Sequence, residues 1–203
     1  MATVASVLTS LRYDLRDPDG RLFTDAELID YLNRGLTVLD STLAAKQSDW
    51  VYKTDNSFTL AVGSNEEAYP ADLKTVRDIW EGTNRLVKKT VDYIYYQRKF
   101  ISTGRPRFYA LEGVNFIFDY TADQEYTLTV HYNKKSTALT ASGNMPFNDE
   151  LNLVLQQGAV LFAKNRNDKE LNIDAIMGSM FEAAANKDVL KRNFAPKNYR
   201  LDF

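Results

Sequence analysis

Near its N-terminus the chain has the hydrophobic pattern of two amphipathic helices. Thr24 precedes Glu27 by three residues, which is the spacing of a capping box, where each side chain bonds the backbone of the other. Apolar residues then recur every three or four positions, which predicts a helix to about Ala45. Its apolar face holds Leu28, Ile29, Leu32, Leu36, Leu39 and Leu43. A shorter helix is predicted after Thr3, with Val4, Val7, Leu8 and Leu11 on one face.

The middle of the chain has the alternating pattern of β-strands. From Trp50 the period becomes two, with Phe58, Leu60 and Val62 on one side. Further strands are predicted over 76–80, 85–88 and 107–111, with a short helix over 90–99. Two later runs alternate clearly, which predicts a half-buried antiparallel pair. The apolar sides of these runs are Phe116, Phe118 and Tyr120, then Tyr126, Leu128, Val130 and Tyr132.

Helical spacing returns after a polar connection. Asn148 is placed to cap a helix with Leu151, Val154, Leu155, Gly158, Leu161 and Phe162 on one broad face. A last helix is predicted from Asp168 or Asn172, with Ile173, Ile176, Met177, Met180 and Ala184 directed inward. The periodic pattern stops after Leu190.

These elements predict an α+β fold: a helical bundle of N- and C-terminal helices with an inserted antiparallel β-rich lobe. The expected organisation is a single domain over residues 1–203, with a helical core at 3–46 and 147–190. The β-rich insertion would cover 50–135 and an extended C-terminal arm 191–203.

Composition narrows the classes of protein that fit. The 203 residues carry a net charge of −2, which argues against a dedicated nucleic-acid binder with a strongly basic face. Without cysteine, the chain has no disulfides or thiolate chemistry. The N-terminal residues lack the pattern of a signal peptide, and charges interrupt every apolar run before it could span a membrane. We therefore expect a soluble protein.

Few residues suggest a catalytic or metal site. The turn Asp17-Pro18-Asp19-Gly20 resembles part of a calcium loop, but Leu15 and Ala26 stand where the first and the bidentate ligands belong. We interpret it as a plain turn. His131 is the only histidine and lies on the threonine side of a strand, where we expect a solvated side chain rather than a general base. We predict no catalytic residue, no cofactor and no metal.

Basic pairs alternate with aromatic residues between Lys88 and Tyr109. Such residues can stack nucleobases, but tyrosine and arginine are equally enriched at protein interfaces. The net negative charge of the chain favours a role at a protein interface over the stacking of nucleobases.

The C-terminal arm is the strongest candidate for a functional segment. It is basic, aromatic and aperiodic, so it could order on binding a partner, although disorder is also the default for chain ends. The residues predicted to carry binding are Phe194, Lys197, Tyr199, Arg200 and Phe203.

The chain resembles the tailed-phage head-to-tail adaptor proteins, also called connector or head-completion proteins. The resemblance rests on Asp17-Pro18-Asp19-Gly20, Phe23-Thr24-Asp25-Ala26-Glu27-Leu28, Leu32-Asn33, Tyr69-Pro70-Ala71-Asp72 and Pro146-Phe147-Asn148-Asp149-Glu150, with the helix over 151–164 and Asn165-Arg166-Asn167-Asp168 after it. It covers nearly the whole chain in the right order. Gly158 and the aromatic stretch from Tyr93 to Phe100 have no counterpart in this resemblance.

The resemblance implies a structural virion protein, assembled in the host cytoplasm, without catalytic activity. It implies a homo-oligomeric ring, a dodecamer, under the portal protein. The C-terminal arm of each subunit would reach the portal, and a tail or nozzle protein would be the other partner. DNA would pass through the channel without specific binding, and no membrane is involved.

Two other interpretations remain open. One is a tail-associated module that binds a carbohydrate or receptor through Trp50, Trp80 and the tyrosines. The other, a hydrolase that uses His131 with a nearby acid, has the least support from the sequence.

Overall fold

The computed structural model describes residues 2–100, 103–166 and 173–193. The chain divides into two compact units. The terminal unit combines Met1–Val51 with Ser136–Phe203, and the central unit is Tyr52–Lys135. In the described residues the helices are α1 (Val4–Asp14), α2 (Asp25–Ala45), α3 (Val91–Arg98), α4 (Asp149–Lys164) and α5 (Ile173–Asn193).

Three helices begin at the N-caps predicted from sequence, and the predicted short helix over 90–99 is also present. The N-caps of α1 to α4 are Thr3, Thr24, Thr90 and Asn148. The capping box of α2 is complete: Thr24 Oγ1 accepts from the Glu27 N–H at 3.3 Å, and the Thr24 N–H donates to Glu27 Oε2 at 2.9 Å. The start of α5, predicted at Asp168 or Asn172, lies outside the described residues.

The core of the terminal unit is built from the apolar faces of α1, α2, α4 and α5. Leu32, Leu39 and Leu43 of α2 are fully buried, as the helical spacing predicts. The predicted face of α5 is wrong in part. Ile176 was expected inward but is 41% exposed, whereas Phe181 and Ala185 are fully buried.

The central unit contains a seven-stranded sheet with its own apolar core. Its strands are β1 (Tyr52–Leu60), β2 (Glu66–Ala68), β3 (Leu73–Glu81), β4 (Asn84–Lys88), β5 (Phe108–Glu112), β6 (Asn115–Phe118) and β7 (Tyr126–Lys134). The strand order is β1-β7-β3-β4-β5-β6-β2. All neighbouring pairs are antiparallel except β4 and β5, which are parallel.

The predicted pairing of the last two alternating runs is wrong. Strand β7 does alternate, with Tyr126, Leu128, Val130 and Tyr132 buried, but it pairs with β1 and β3 rather than with β6. Strand β6 pairs with β5 and β2. The physical reason is that Phe116, Ile117 and Phe118 are all buried, so β6 is covered on both faces. It lacks the exposed side of a half-buried hairpin.

The predicted fold class is also wrong. The described residues form a mixed α/β fold with five helices and a seven-stranded sheet, not a helical bundle that carries an antiparallel lobe. The parallel pair β4–β5 explains part of the difference, because parallel neighbours need a crossover connection, and α3 supplies it. The sheet is therefore a major element of the fold rather than an accessory to the helices.

Candidate interaction surfaces

The predicted binding residues of the C-terminal arm lie outside the described residues. They are Phe194, Lys197, Tyr199, Arg200 and Phe203. Helix α5 leads directly to them, because its last residue is Asn193. Their binding role therefore stays a prediction.

Helix α3 is fixed firmly to the sheet of the central unit. Ile94 is fully buried against residues of β5 and β6. Arg98 donates from Nε to the Phe118 carbonyl at 2.9 Å and from Nη2 to the Asn65 carbonyl at 2.7 Å. These bonds join one guanidinium group to two backbone carbonyls, so the helix holds one orientation on the sheet.

The opposite side of α3 is exposed and aromatic. Tyr95, Tyr96 and Phe100 are 44%, 57% and 67% exposed. The rings of Tyr96 and Phe100 contact each other, with centroids 4.9 Å apart. The Tyr95 hydroxyl donates to Glu112 Oε2 at 2.6 Å, and this bond raises the pKa of Tyr95. Exposed aromatic rings held in place are typical of a protein interface.

The spacing of exposed residues along the sequence indicates this surface, whereas the number of aromatic residues alone does not. Five exposed residues follow the helical spacing i, i+3, i+4, i+7 and i+8. We call them the α3 stripe: Asp92, Tyr95, Tyr96, Lys99 and Phe100.

Several basic side chains of the central unit contact aromatic rings of the same unit. The Lys89 ammonium lies 5.1 Å from the Tyr93 ring centroid and 5.5 Å from that of Phe108. The Arg107 guanidinium lies 5.4 Å from the Phe108 ring and 4.7 Å from the Tyr120 ring. These faces are therefore covered within the chain, which leaves them less suited to stacking nucleobases.

An apolar groove runs between α4 and α5 in the terminal unit. Its volume is about 430 Å³, and it is lined by Leu151, Leu153, Val154, Met180, Ala183 and Ala184. Glu150 and Lys187 lie at its rim, 3.9 Å apart. The side chain of Leu153 is 53% exposed, so the two helices leave apolar atoms open to solvent along the groove.

His131 is half-buried rather than solvated, with 26% of its side chain exposed. Its ring stacks on Tyr52 with centroids 5.9 Å apart. Its Nδ1 lies 2.5 Å from the Tyr52 hydroxyl and 3.0 Å from Thr54 Oγ1. The structure also brings Asp78 within 3.9 Å of Nε2, a neighbour that the sequence did not identify. These contacts are sufficient for a structural role that joins β1, β7 and β3.

The turn that resembles part of a calcium loop is organised by Asp17. Its buried carboxylate accepts three backbone hydrogen bonds, from Arg21, Leu22 and Phe23 at 2.7, 3.1 and 3.0 Å. Burial alone would raise its pKa, but these donors and the charge of Arg12 outweigh burial and hold the pKa of Asp17 below its ordinary value. In the described residues there is no cluster of acidic or histidine side chains that could hold a metal ion.

The two tryptophans belong to different units. Trp50 belongs to the terminal unit and packs edge-on against Phe147, with ring centroids 6.2 Å apart. Trp80 belongs to β3 of the central unit and is half-buried. Neither has the fully exposed ring on which a sugar would stack.

The chain matches the model of a known protein family. The family described as SU10 adaptor protein matches residues 2–199, which is nearly the whole chain. A search among curated proteins found no match. None of the helices in the described part of the chain has the length and apolar content that a bilayer span requires.

Proposed function

We propose that this protein forms a ring beneath the portal protein. The chain belongs to the SU10 adaptor protein family, which is a family of phage head-tail adaptors. The ring joins the phage head to the tail and extends the channel through which DNA passes. The observation that carries this proposal is the family match over residues 2–199. The protein acts as a structural component of the virion without catalytic activity, and its two units work together as one adaptor domain.

The ring is a closed dodecamer that assembles in the host cytoplasm. A closed ring of identical subunits needs two different contact surfaces on each subunit. A net charge of −2 suits a channel wall, because each neutralised phosphate adds affinity for DNA. A wall that bound phosphates tightly would slow the passage of the genome.

The C-terminal arm makes the contact with the portal. Its aromatic residues Phe194, Tyr199 and Phe203 act as anchors in apolar pockets, and Lys197 and Arg200 supply charge between them. Aromatic and arginine side chains dominate binding energy at protein interfaces. A tail or nozzle protein is the second partner and binds the completed ring.

Phage particles assembled without this protein test the proposal. We expect heads that package DNA but lack tails and lose their genome. Normal particles should form when the protein is supplied from a plasmid. A plasmid copy without residues 194–203 should fail to restore them. Tailed, infectious particles made in the absence of the protein would refute the adaptor role.

A further inference from the structure

The α3 stripe carries opposite charges at its two ends, an arrangement that complements the helix dipole. An acid, Asp92, lies at the N-terminal end, and a base, Lys99, lies at the C-terminal end, with Tyr95 and Tyr96 between them. Lys99 keeps helical dihedral angles, φ −70° and ψ −25°. The helical course therefore continues to it, and the stripe forms one straight row.

The row is nearly symmetric about Tyr96. Asp92 stands four residues before Tyr96 and Lys99 three residues after it, which is roughly 6 Å and 4.5 Å along the helix axis. If a second α3 packs antiparallel, Asp92 of each helix faces Lys99 of the other. The tyrosine rings then meet at the centre. A parallel arrangement would instead place like charges together.

We propose that the α3 stripe is a self-association surface, on which the α3 stripe of a second copy of this chain docks antiparallel. Two Asp92–Lys99 ion pairs flank an aromatic centre made by Tyr95 and Tyr96. The antiparallel arrangement also places the positive end of each helix dipole beside the negative end of the other. The Tyr96 ring is already packed against the Phe100 ring, and Arg98 fixes the helix on the sheet. Little ordering is therefore needed on binding.

This contact differs in kind from the contacts of the proposed ring. A two-fold contact uses the same surface on both copies and stops at two, so it cannot by itself build a closed ring of many subunits. It does not rest on the adaptor role, and either proposal can fail alone. Because about two turns of helix bury a small area, the dimer should be weak, with a Kd on the order of 10–100 µM.

Sedimentation velocity of the full chain tests the proposal, over concentrations from about 1 to about 500 µM. We expect a monomer–dimer equilibrium. Asp92→Lys and Lys99→Asp should each weaken dimerisation by at least about tenfold, because each places like charges opposite one another. The double variant Asp92→Lys/Lys99→Asp should recover dimerisation, because the swapped charges again face their opposites.

Two further variants provide the controls. Glu125→Lys makes the same change in charge as Asp92→Lys at an exposed residue outside the stripe, and it should leave dimerisation unchanged. Tyr96→Ala should abolish it, and circular dichroism should show that every variant is folded. The proposal is overturned if the unmodified chain stays monomeric throughout. It is equally overturned if the single charge changes have no effect, or if the folded double variant remains monomeric.

Discussion

Asn33 on α2 and Leu139, in the segment before α4, exchange two hydrogen bonds. The Leu139 N–H donates to Asn33 Oδ1 at 2.7 Å, and Asn33 Nδ2 donates to the Leu139 carbonyl at 3.2 Å. Leu139 is buried, so its backbone groups have little access to water. One side-chain amide thus satisfies the backbone of a residue that lies 106 positions away, and it fixes the returning chain against α2.

Asn33→Ala should therefore lower the free energy of unfolding by about 1–3 kcal/mol, because it leaves buried backbone groups without partners. Arg34→Ala is the matched control, since Arg34 is exposed and its pair with Asp30 is a surface ion pair. That change should cost less than about 0.5 kcal/mol. Urea unfolding measures both variants. Equal effects would show that the Asn33–Leu139 bonds contribute no net stability.

Leu32→Ala and Leu153→Ala compare the same substitution at a buried and an exposed site. Leu32 is fully buried and Leu153 is 53% exposed. We expect a loss of about 2–5 kcal/mol for Leu32→Ala, because a cavity remains in the core. Leu153→Ala should change stability by less than about 0.5 kcal/mol.

Leu32→Asp should unfold the terminal unit, because it buries an unpaired charge. A soluble Leu32→Asp variant with native melting behaviour would contradict the packing of α2.

The carboxylate of Asp17 predicts a pH dependence of stability. Its pKa is lower in the folded chain than its ordinary value of 3.8, so the ionised group stabilises the fold above that value. This contribution should disappear as the pH falls below the ordinary value and through the folded pKa. The gap in stability between Asp17→Asn and the unmodified chain should therefore be large at pH 7 and narrow below about pH 4.

Urea unfolding at pH 7, 5 and 3 measures this gap. Asp19→Asn is the control on the same turn, because Asp19 has an exposed side chain. It should show no comparable gap at any pH. An Asp17→Asn gap that stays constant with pH would mean that the Asp17 charge does not stabilise the turn.

Local features of the fold could be predicted from sequence. The N-caps Thr3, Thr24 and Asn148 each bond a backbone group three residues away, so the signal and its partner lie together in the chain. The buried face of α2 could be predicted from its apolar spacing for the same reason. The buried face of α5 was predicted less well, because its run of alanines near Ala185 gives weak contrast between faces.

Long-range pairing could not be predicted. Phe116, Ile117 and Phe118 form a continuous apolar run, and such a run does not specify its neighbours in a sheet. The parallel pair β4–β5 depends on where α3 returns the chain, which no local pattern encodes. The aromatic stretch around α3 was visible, but only the structure separates Tyr93, which packs on Phe108, from the exposed Tyr96.

Removal of residues 194–203 should leave the rest of the chain folded and abolish binding to the portal protein. The triple variant Phe194→Ala/Tyr199→Ala/Phe203→Ala should act like the deletion, because it removes the aromatic anchors. Asn198→Ala is the matched control within the arm and should bind normally. Biolayer interferometry against immobilised portal rings measures all three. Unchanged binding by the shortened chain would refute the role of the arm.

Electron microscopy of the full chain mixed with the portal ring from the same genome tests the adaptor role most directly. The account predicts a second ring of density, coaxial with the portal and beneath it, with one copy of the chain for each portal subunit. Portal rings without added density, beside free protein at saturating concentration, would contradict it.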